Sequence, residues 1–569
     1  MTRTLLYSYY GHVQKIISAS EMREIDRLTT ERYATPSLLL MEAAANASAR
    51  AIAEHFNGDL TSKKVRIFCG RGNNGGDGAA LARVLWHMNA RVDVLIVGRI
   101  DETTGDARVN FEILRQLASF GAGSNTRPSP LSITECVDVA SLEKAAAPRG
   151  SYDVRVDALF GTGLSRPLEG IPLQIAEHLE LLREARDRSG SCLPLIVSLD
   201  IPSGLNADSA QLIGPAVRAD LTVTFTAPKP ANVLPPASDY NGELLIADIG
   251  SPPALLESSE SKLFVTERED ARGWLIKTRY ARDSFKNTHG HALVIAGARG
   301  YTGAATLTAS AAMRAGAGLV TIATPASLQS TVAAIAIPEV MTAPLAETDR
   351  GAVSDDAIEN VLKLMERATV VAIGPGLTSD DERTRRFVRK VVENRRTPVV
   401  IDADGLNALA PWPSELSGSE KLPLILTPHP GEMLRLMGAT GKQALTDRVA
   451  AARAFAVAHS LILVLKGART LIAAPDGRVF INPTGNAGLG TAGAGDTLTG
   501  IITGFIAQAY GMLKDNANAL EATIAAVYVG GFAGDIAARE RGMRTMIASD
   551  IREHLNEAIC DLDPQGERP

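Results

Sequence analysis

Cysteine is rare in this chain of 569 residues, which contains only Cys69, Cys136, Cys192 and Cys560. The four cysteines are scattered and no two of them form a C-x-x-C pair, which argues against a disulfide framework and against a zinc site. A thiol content of this kind is typical of proteins from a reducing compartment. We therefore expect a cytoplasmic protein.

Long apolar and long basic runs are also missing. No segment reaches eighteen consecutive uncharged apolar residues, so the sequence predicts no membrane span. The net charge is −6 and no basic cluster stands out, which makes nucleic acid a poor candidate partner. The first twenty residues contain Arg3 and Lys15 but neither an acid nor an apolar core, so we expect a frayed extension over residues 1–15 rather than a secretory signal.

Glycine is plentiful, at 50 residues, and short apolar, β-branched runs alternate with longer segments rich in Ala and Leu. Near-continuous apolar runs are typical of parallel strands covered on both faces, and the alternation predicts an α/β fold. Asp476-Gly477 between two apolar runs indicates a hairpin. The predicted strands are 65–70, 92–98, 152–161, 193–200, 220–227 and 243–250 in the first half, and 291–297, 319–325, 369–376, 398–407, 422–429 and 461–467 in the second.

The pattern breaks over residues 250–270, which are rich in Ser, Pro and acid and have weak periodicity. A break of this kind is typical of a crossing between domains. We therefore predict a first domain over 16–255, a crossing over 256–274, a second domain over 275–555 and a tail over 556–569. Within the first domain, 121–150 and 183–192 are predicted to be surface insertions.

The segment NAGLGTAGAGDTLTG, residues 486–500, places small residues before a helical pattern. Gly493, Ala494 and Gly495 allow successive backbone N–H groups to converge at a helix N-terminus, where the positive end of the dipole favours an anion. Asp496 would then take a proton from a hydroxyl while those N–H groups hold a phosphoryl group. A tight strand-to-helix turn with Asp496 as an ordinary first-turn carboxylate is the alternative.

Other polar residues follow strands in the same way. In open α/β sheets, ligands bind at the carboxyl ends of strands. In the first half, three glycine-rich or polar loops therefore predict a single crevice: FCGRGNNGGDG at 68–78, VDALFGTGLSRPLEG at 156–170 and VSLDIPSGLNAD at 197–208. In the second half, the residues that follow strands are Asp404, Asn407, His429, Glu432 and Lys466.

The motifs of the second half, taken together and in order, resemble the ADP/ATP-dependent NAD(P)H-hydrate dehydratase family. They are DADGLNAL (402–409), LTPHPGE (426–432), VLKGART (464–470) and the glycine segment, preceded by an opening stretch at 282–325. The resemblance implies a ribokinase-like α/β domain that uses Mg²⁺ with ADP or ATP, and Asp496 as the catalytic carboxylate. It implies substrate contacts at Ala304, Gly376, His429 and Asp496, and nucleotide contacts at Lys466, Gly467, Ala468, Arg469, Thr470 and Gly495.

Two positions depart from that family's pattern. Gly-Gly-Ser-Gly-Asp is usual where this chain has Ala492-Gly493-Ala494-Gly495-Asp496, and proline often stands where Ala487 follows Asn486. Both changes keep the backbone N–H groups, so we expect the activity to be kept, although a hydroxyl contact at residue 494 is lost.

The first half resembles the NAD(P)H-hydrate epimerase domain, which implies a Rossmann-like, three-layer αβα fold. The resemblance implies a K⁺ ion held by Asn74, Asp157 and Ser203, and oxygen ligands of these types suit a hard cation. Asp200 would carry the proton in the inversion. MEAAA at 41–45 departs from the usual M-E-N-A-G at Ala43 and Ala45. The implied substrate contacts are Asn73, Asn74, Gly75, Gly76, Asp77, Gly161, Thr162, Gly163, Leu164, Ser165, Arg166, Pro167 and Asp200.

The sequence thus predicts a bifunctional enzyme that repairs hydrated NADH and NADPH, the compounds NADHX and NADPHX. One half interconverts the R and S hydrates at C6, and the other dehydrates the S hydrate at the expense of ADP or ATP. We expect a homo-oligomer with no nucleic-acid or membrane partner. The alternative is a ribokinase-type kinase of a small alcohol, fused to a non-catalytic Rossmann-like binding module.

Overall fold

The computed structural model describes residues 14–120, 131–146, 151–191 and 194–566. The chain folds into two compact units that divide between Ser261 and Lys262. Regular structure continues on both sides of this point, in a short helix at Pro253–Glu257 and a strand at Leu263–Val265.

The first unit is built on a parallel sheet. Its strands are apolar and buried on both sides, as the composition of these runs predicts. The helix Ala19–Tyr33 begins with a capping box, in which the Glu21 N–H donates to Ser18 Oγ and the Ser18 N–H donates to Glu21 Oε2. The strands of the sheet are β2 (Lys64–Cys69), β3 (Arg91–Val97), β4 (Leu131–Cys136), β5 (Val154–Ala158), β6 (Leu195–Leu199), β7 (Leu221–Phe225) and β8 (Glu243–Ala247), and the two-residue strand β1 (Gln14–Lys15) is not part of it.

The strand order in this sheet is β4-β3-β2-β5-β6-β7-β8. The order reverses between β2 and β5, which pair in register from Val65↔Val154 to Cys69↔Ala158. A crevice opens at the carboxyl ends of strands at such a reversal. The helices are α1 (Ala19–Tyr33), α2 (Ser37–Glu54), α3 (Asn73–His87), α4 (Gly105–Phe120), α5 (Val139–Ala146), α6 (Gly170–Ser189), α7 (Pro230–Val233) and α8 (Pro253–Glu257).

Helices cover both faces of the sheet. One apolar cluster joins it to α2, α3 and α4 through residues such as Ile52, Leu81 and Phe111. A second cluster joins the opposite face to α5 and α6 through Leu142 and Leu179. The predicted three-layer, Rossmann-like arrangement is therefore confirmed.

The predicted insertions in this unit are wrong for the parts that the structure describes. Residues 131–136 form the edge strand β4, which pairs in parallel with β3, and residues 183–189 are the last part of α6. Both segments were mistaken for insertions because they carry many polar residues, as an edge strand and an exposed helix face do. Residues 121–130, 147–150 and 192 lie outside the described residues.

The second unit is built on a mixed sheet with the strand order β9-β18-β17-β16-β15-β14-β13-β10-β11-β12. The strands from β16 to β12 are parallel, and β17 is antiparallel to both β16 and β18. The strands are β9 (Leu263–Val265), β10 (His291–Ile295), β11 (Leu319–Pro325), β12 (Met341–Leu345), β13 (Val370–Ile373), β14 (Val399–Ile401), β15 (Leu424–Leu426), β16 (Ile462–Leu465), β17 (Leu471–Ala473) and β18 (Val479–Ile481).

The predicted hairpin at Asp476-Gly477 is confirmed, because it joins the antiparallel strands β17 and β18 and Gly477 has φ +85°. The predicted α/β class is also confirmed for this unit. Its helices are α9 (Arg268–Lys277), α10 (Thr302–Arg314), α11 (Gln329–Ile335), α12 (Ile358–Met365), α13 (Glu382–Glu393), α14 (Asp404–Ala408), α15 (Pro430–Leu436), α16 (Arg448–Ala458), α17 (Ala494–Gln508), α18 (Ala519–Arg541), α19 (Ala548–Glu553) and α20 (Leu555–Leu562).

The core of the second unit lies around α10, α17 and α18. Trp274 of α9 packs into this core and stacks on Phe505 of α17, with the ring centres 4.1 Å apart. Among the described residues, α18 is the one helix long and apolar enough to cross a membrane by length and composition. Of its most apolar stretch, 72% is buried inside the unit, so α18 serves as a core helix here.

Candidate active sites

In the second unit, four neighbouring parallel strands end at one place. The chain leaves β13 through Gly374, β14 through Asp402, β15 through Thr427 and β16 through Lys466. A β-carbon at Gly374 would lie 1.9 Å from the carbonyl oxygen of Asp402, so these loops touch through their backbones. The strand-end residues of the glycine, aspartate and lysine motifs therefore share one edge of the sheet.

Helix α17 begins at this edge, as the sequence predicts. Gly493 precedes it with φ +84°, in the left-handed region, and no side chain caps the helix. A β-carbon at Gly493 would lie 2.6 Å from Leu307 Cδ1, so both the backbone angle and the space require glycine there. The uncapped N–H groups of the first turn and the helix dipole favour an anion at this point.

Lys466 lies directly under the start of α17. Its ammonium donates to Asp402 Oδ1 at 2.7 Å and is 3.9 Å from Glu432 Oε2. A β-carbon at Gly495 would lie 3.3 Å from Lys466 Nζ. The ammonium therefore faces the backbone of the glycine segment, where it adds its charge to the positive end of the helix.

Burial lowers the pKa of Lys466, but the carboxylates of Asp402 and Glu432 outweigh this effect and leave it above the ordinary value. Burial also raises the pKa of Asp402. The charge of Lys466 and a hydrogen bond from Thr499 Oγ1 at 2.7 Å outweigh this effect, so the pKa of Asp402 lies below its usual value. The two groups therefore form a buried ion pair at the floor of the site.

Asp496 stands in the first turn of α17 and is half-buried. Burial and, next, the nearby Asp402 carboxylate raise its pKa to about 6, although Lys466 opposes both. Burial likewise raises the pKa of Glu432. A carboxylate whose pKa lies this close to neutrality can accept and return a proton near neutral pH.

The structure also brings together two of the residues predicted to contact the substrate. Gly376 has φ +63°, and a β-carbon there would lie 2.9 Å from the carbonyl oxygen of Tyr301 and 3.0 Å from Ala304 Cβ. His429 instead has a local role, because its Nδ1 accepts from the Gly431 N–H at 3.0 Å at the start of α15. The ring of His429 is half-exposed and its Nε2 is 3.4 Å from Glu432 Oε1.

The loop from Lys466 to Thr470 is fixed by an arginine that the sequence did not indicate. Arg448, the first residue of α16, donates from Nη1 to the carbonyl oxygen of Ala468 at 3.0 Å. A β-carbon at Gly467 would lie 3.0 Å from Arg448 Nη2. Arg469 donates to the carbonyl oxygen of Pro483 at 2.8 Å, and Thr470 Oγ1 donates to the carbonyl oxygen of Gly467 at 3.2 Å.

In the first unit, the three predicted loops line one cavity of about 1030 Å³. Gly75, Gly76 and Ser165 are not among its lining residues. The two glycines serve packing, since a β-carbon at Gly75 would lie 1.8 Å from the Gly70 carbonyl oxygen and one at Gly76 would lie 2.8 Å from Ala107 Cα. The predicted residues that do line the cavity are Asn73, Asn74, Asp77, Gly161, Thr162, Gly163, Leu164, Arg166, Pro167 and Asp200.

Of the three residues predicted to bind K⁺, Asn74 lines the cavity, whereas Asp157 and Ser203 are buried and hydrogen-bonded to each other. Asp157 is completely buried and accepts from the Ser203 N–H at 2.8 Å, Ser203 Oγ at 2.6 Å and Ser198 Oγ at 2.9 Å. Burial raises the pKa of Asp157, and these hydrogen bonds oppose the rise. Asn74 is 8% exposed, and neither its amide oxygen nor its amide nitrogen has a hydrogen-bond partner.

Asp200 closes β6 with φ +63°, a conformation that only a few per cent of non-glycine residues adopt. Its carboxylate accepts from Lys229 Nζ at 2.6 Å. Two more carboxyl groups line the same cavity: burial raises the pKa of Asp26 to about 6, and burial, followed by the charge of Asp200, raises the pKa of Asp77 well above its usual value. Such displaced values cluster at functional sites.

Asp26, Lys229, Asp402 and Arg448 are the residues of these sites that the sequence analysis did not single out. Lys229 follows β7 and Asp402 follows β14, so the strand-end rule that found Asp200 and Lys466 also applied to them. Asp26 and Arg448 lie on helices, and no pattern in the sequence marks them.

Family comparisons agree with both resemblances. Residues 37–231 match the family model described as YjeF-related protein N-terminus, and residues 292–557 match the model described as NAD(P)H-hydrate dehydratase. The chain is 39% identical over 552 residues to the bifunctional NAD(P)H-hydrate repair enzyme Nnr of Moorella thermoacetica, which covers 97% of this chain and 98% of the relative.

Two further relatives carry the same name. The protein of Thermofilum pendens is 38% identical over 96% of this chain and 97% of its own length. That of Escherichia coli K12 is 32% identical over 87% of this chain and 84% of its own length. The chain therefore belongs to the family of bifunctional NAD(P)H-hydrate repair enzymes.

Proposed function

We propose that the first unit interconverts the R and S hydrates of NADH and NADPH, and that the second unit dehydrates the S hydrate with ADP or ATP. The observation that carries the proposal is that Asp496 and the ammonium of Lys466, which interact electrostatically, both lie at the uncapped N-terminus of α17. That arrangement joins a proton acceptor to a phosphoryl-binding site, which the dehydration needs.

In the hydrate, a hydroxyl on C6 lies next to the ring nitrogen, and hydroxide is a poor leaving group. In the proposed reaction, Asp496 accepts the hydroxyl proton while the first-turn N–H groups and Lys466 hold the transferred phosphoryl group. Electrons from the ring nitrogen then expel phosphate, and loss of a proton from the adjacent ring carbon restores the dihydronicotinamide. When bound, Mg²⁺ would neutralise phosphate charge, and the carboxylates of Asp402, Glu432 and Asp496 fit a hard cation beside those phosphates.

We assign the remaining residues of the second site from the same geometry. Gly376 and Ala304 lie in close contact, and they would contact the hydrated dinucleotide together with His429. The loop of Lys466, Gly467, Ala468, Arg469 and Thr470, together with Gly495, would contact the adenine nucleotide. Arg448 would hold this loop in place through its hydrogen bond to the carbonyl oxygen of Ala468.

In the first unit, Asp200 would exchange protons with the C6 oxygen. Protonation of the hydroxyl allows it to leave as water, with the ring nitrogen forming an iminium ion, and water returning to the other face gives the opposite epimer and releases the proton. Asn74, Asp157 and Ser203 would hold K⁺, and the unpartnered amide oxygen of Asn74, with the carboxylate and hydroxyl oxygens of the other two residues, is of the type that suits a hard cation. Bound K⁺ would supply positive charge at the cavity wall.

The test is to incubate the full chain with mixed NADHX epimers, Mg²⁺, K⁺ and either ADP or ATP, and to follow dihydronicotinamide absorbance and inorganic phosphate. We expect complete recovery of NADH with one phosphate released per molecule. Recovery that stops when the S hydrate is consumed would contradict the epimerase assignment. A stable phosphorylated product with no recovered absorbance would instead indicate the kinase alternative.

A further inference from the structure

Lys229 is the most deeply buried cation of the first site, with 1% of its surface exposed. Its ammonium donates to Asp200 Oδ1 at 2.6 Å, to Thr224 Oγ1 at 3.0 Å and to the carbonyl oxygen of Phe225 at 3.0 Å. An ammonium has three N–H donors, so each of them has a partner. Lys229 is therefore held in one position by β7 and cannot swing into the cavity without breaking these bonds.

The two oxygens of Asp200 have different surroundings. Oδ1 accepts from Lys229 Nζ and, at 3.2 Å, from Thr224 Oγ1. Oδ2 lies on the side of the 161–167 loop, where a β-carbon at Gly161 would be 3.2 Å away from it. One oxygen is thus fixed by the protein, and the other faces the loop that lines the cavity.

The backbone supports this orientation. Asp200 has φ +63°, and its N–H donates to the carbonyl oxygen of Val223 at 2.7 Å on the neighbouring strand. The left-handed conformation costs free energy in a residue other than glycine, and such conformations persist where the surrounding structure imposes them. Here the β7 backbone and Lys229 fix the same residue from two directions.

The charge balance around Asp200 depends on Lys229 as well. Asp26 on α1 and Asp77 on α3 line the same cavity, and both feel the negative charge of Asp200 and the positive charge of Lys229. Without the ammonium, three carboxyl groups would face one another in a partly buried space. Neighbouring carboxyl groups cannot all stay ionised under those conditions.

We propose that Lys229 is a positioning residue for epimerisation, which fixes Asp200 through Oδ1 and turns Oδ2 toward the substrate. This inference rests on the proposed epimerase function of the first unit. It predicts that loss of the ammonium impairs the proton transfer by Asp200 more than the binding of the hydrate.

The test compares Lys229→Met with wild type in the full-length protein, with Lys63→Met as the matched control for loss of a lysine on the surface of the same unit. We expect epimerisation of the R hydrate to slow by about 10²-fold, within the range for a lost acid–base contribution, with KM nearly unchanged. Lys229→Arg should recover part of the rate.

Dehydration of pure S hydrate by the same sample serves as the control for the second unit. An epimerisation rate that is unchanged in Lys229→Met, or that falls only through a higher KM, would overturn the positioning role. If the wild-type protein itself does not epimerise the hydrate, the proposed function has failed instead. If Lys229→Met does not fold, Thr224→Val carries the test: a smaller loss of rate with KM nearly unchanged supports the proposal, and an unchanged rate overturns it.

Discussion

Individual carboxylates in this protein differ in proton affinity because their neighbours differ. Asp402 and Asp496 lie in the same site, yet Lys466 and Thr499 keep the pKa of Asp402 low while burial and Asp402 raise that of Asp496 to about 6. Two carboxyl groups with displaced proton affinities can take different roles, one structural and one in proton transfer. The residue that contacts the lysine directly is therefore not the one we assign to the chemistry.

Asp496→Asn should lower nucleotide-dependent dehydration by about 10²–10⁴-fold, because the amide cannot accept the hydroxyl proton. In the wild type the base works only when ionised, so the dehydration rate should rise with pH through about 6 and level off above it. Rates measured with S hydrate between pH 5 and 8 test both statements. Asp476→Asn in the exposed hairpin is the matched control, and near wild-type dehydration by Asp496→Asn would exclude the carboxylate from the mechanism.

Asp157→Asn should weaken K⁺ binding in the first unit, because the charge is lost while the oxygen acceptor remains. We expect slow epimerisation at low K⁺ that recovers as K⁺ is raised, with dehydration unaffected. Asp200→Asn is the contrasting variant, since a lost proton carrier is not restored by a cation. Epimerisation by Asp157→Asn that stays equally slow at every K⁺ concentration would assign Asp157 to stability alone, through its bonds to Ser203 and Ser198.

At this scale, the sequence predicted residues that follow apolar strands, such as Asp200 and Lys466, and it predicted Asp496 from the glycine segment before α17. It missed Asp402 and Lys229, each of which lies at the end of a strand that had been recognised. Their partners follow other strands of the same sheet: Lys466 follows β16, two strands away from β14, and Asp200 follows β6, which is next to β7. Pairing across a sheet depends on strand order, which one sequence without its topology does not provide.

Among the elements, α16 supports the second site although none of its residues was expected there. Arg448 at its start contacts the 466–470 loop, whereas Arg453, one turn further along, donates to the carbonyl oxygen of Gly477 at 2.9 Å in the hairpin. Helix α16 therefore contacts both the 466–470 loop of the candidate site and the hairpin between β17 and β18, which lies outside that site.

Arg448→Ala should raise the KM for the nucleotide by about tenfold, the equivalent of ~1.4 kcal/mol, because the loop loses its contact at Ala468. Arg453→Ala is the matched control, since it removes the same side chain from the same helix without touching that loop. Steady-state kinetics with ADP or ATP varied at saturating S hydrate provide the measurement. Equal KM values for the two variants would argue against a role of Arg448 in nucleotide binding.

Strands were predictable where they are apolar and buried, and two strands that lie at a sheet edge were missed. The strand β4 has the sequence LSITEC and β12 has MTAPL, and both stand at the end of their sheets with partly exposed side chains. The three-residue strand β9 is too short to show a period. Edge strands are partly solvated, so their composition resembles that of loops.

The whole molecule contains two units, each with its own sheet and apolar core. The division after Ser261 lies just before β9, which pairs with β18 in the second sheet. If the chain is cut into two fragments, the second sheet keeps β9 only when the cut lies before Leu263.

Fragments cut between residues 261 and 262 should each fold, with epimerisation retained by the first and dehydration by the second. A second fragment that begins at residue 276 is the comparison: it lacks β9 and most of α9, with the buried Trp274 that stacks on Phe505, and should melt at a lower temperature. Thermal unfolding and the two assays test this. Insoluble products from the cut at 261/262 would show that the units do not fold independently.

Two sites on one polypeptide also fix a stoichiometry. Every molecule synthesised carries one epimerase site and one dehydratase site, so a cell cannot adjust one activity against the other by changing expression. The steady-state ratio of the R hydrate to the S hydrate then depends on the catalytic constants of the two sites and not on the amount of protein. Under this arrangement, a substitution that slows only the first unit, such as one at Lys229, would raise the R hydrate by the same factor at any expression level that leaves the S hydrate scarce.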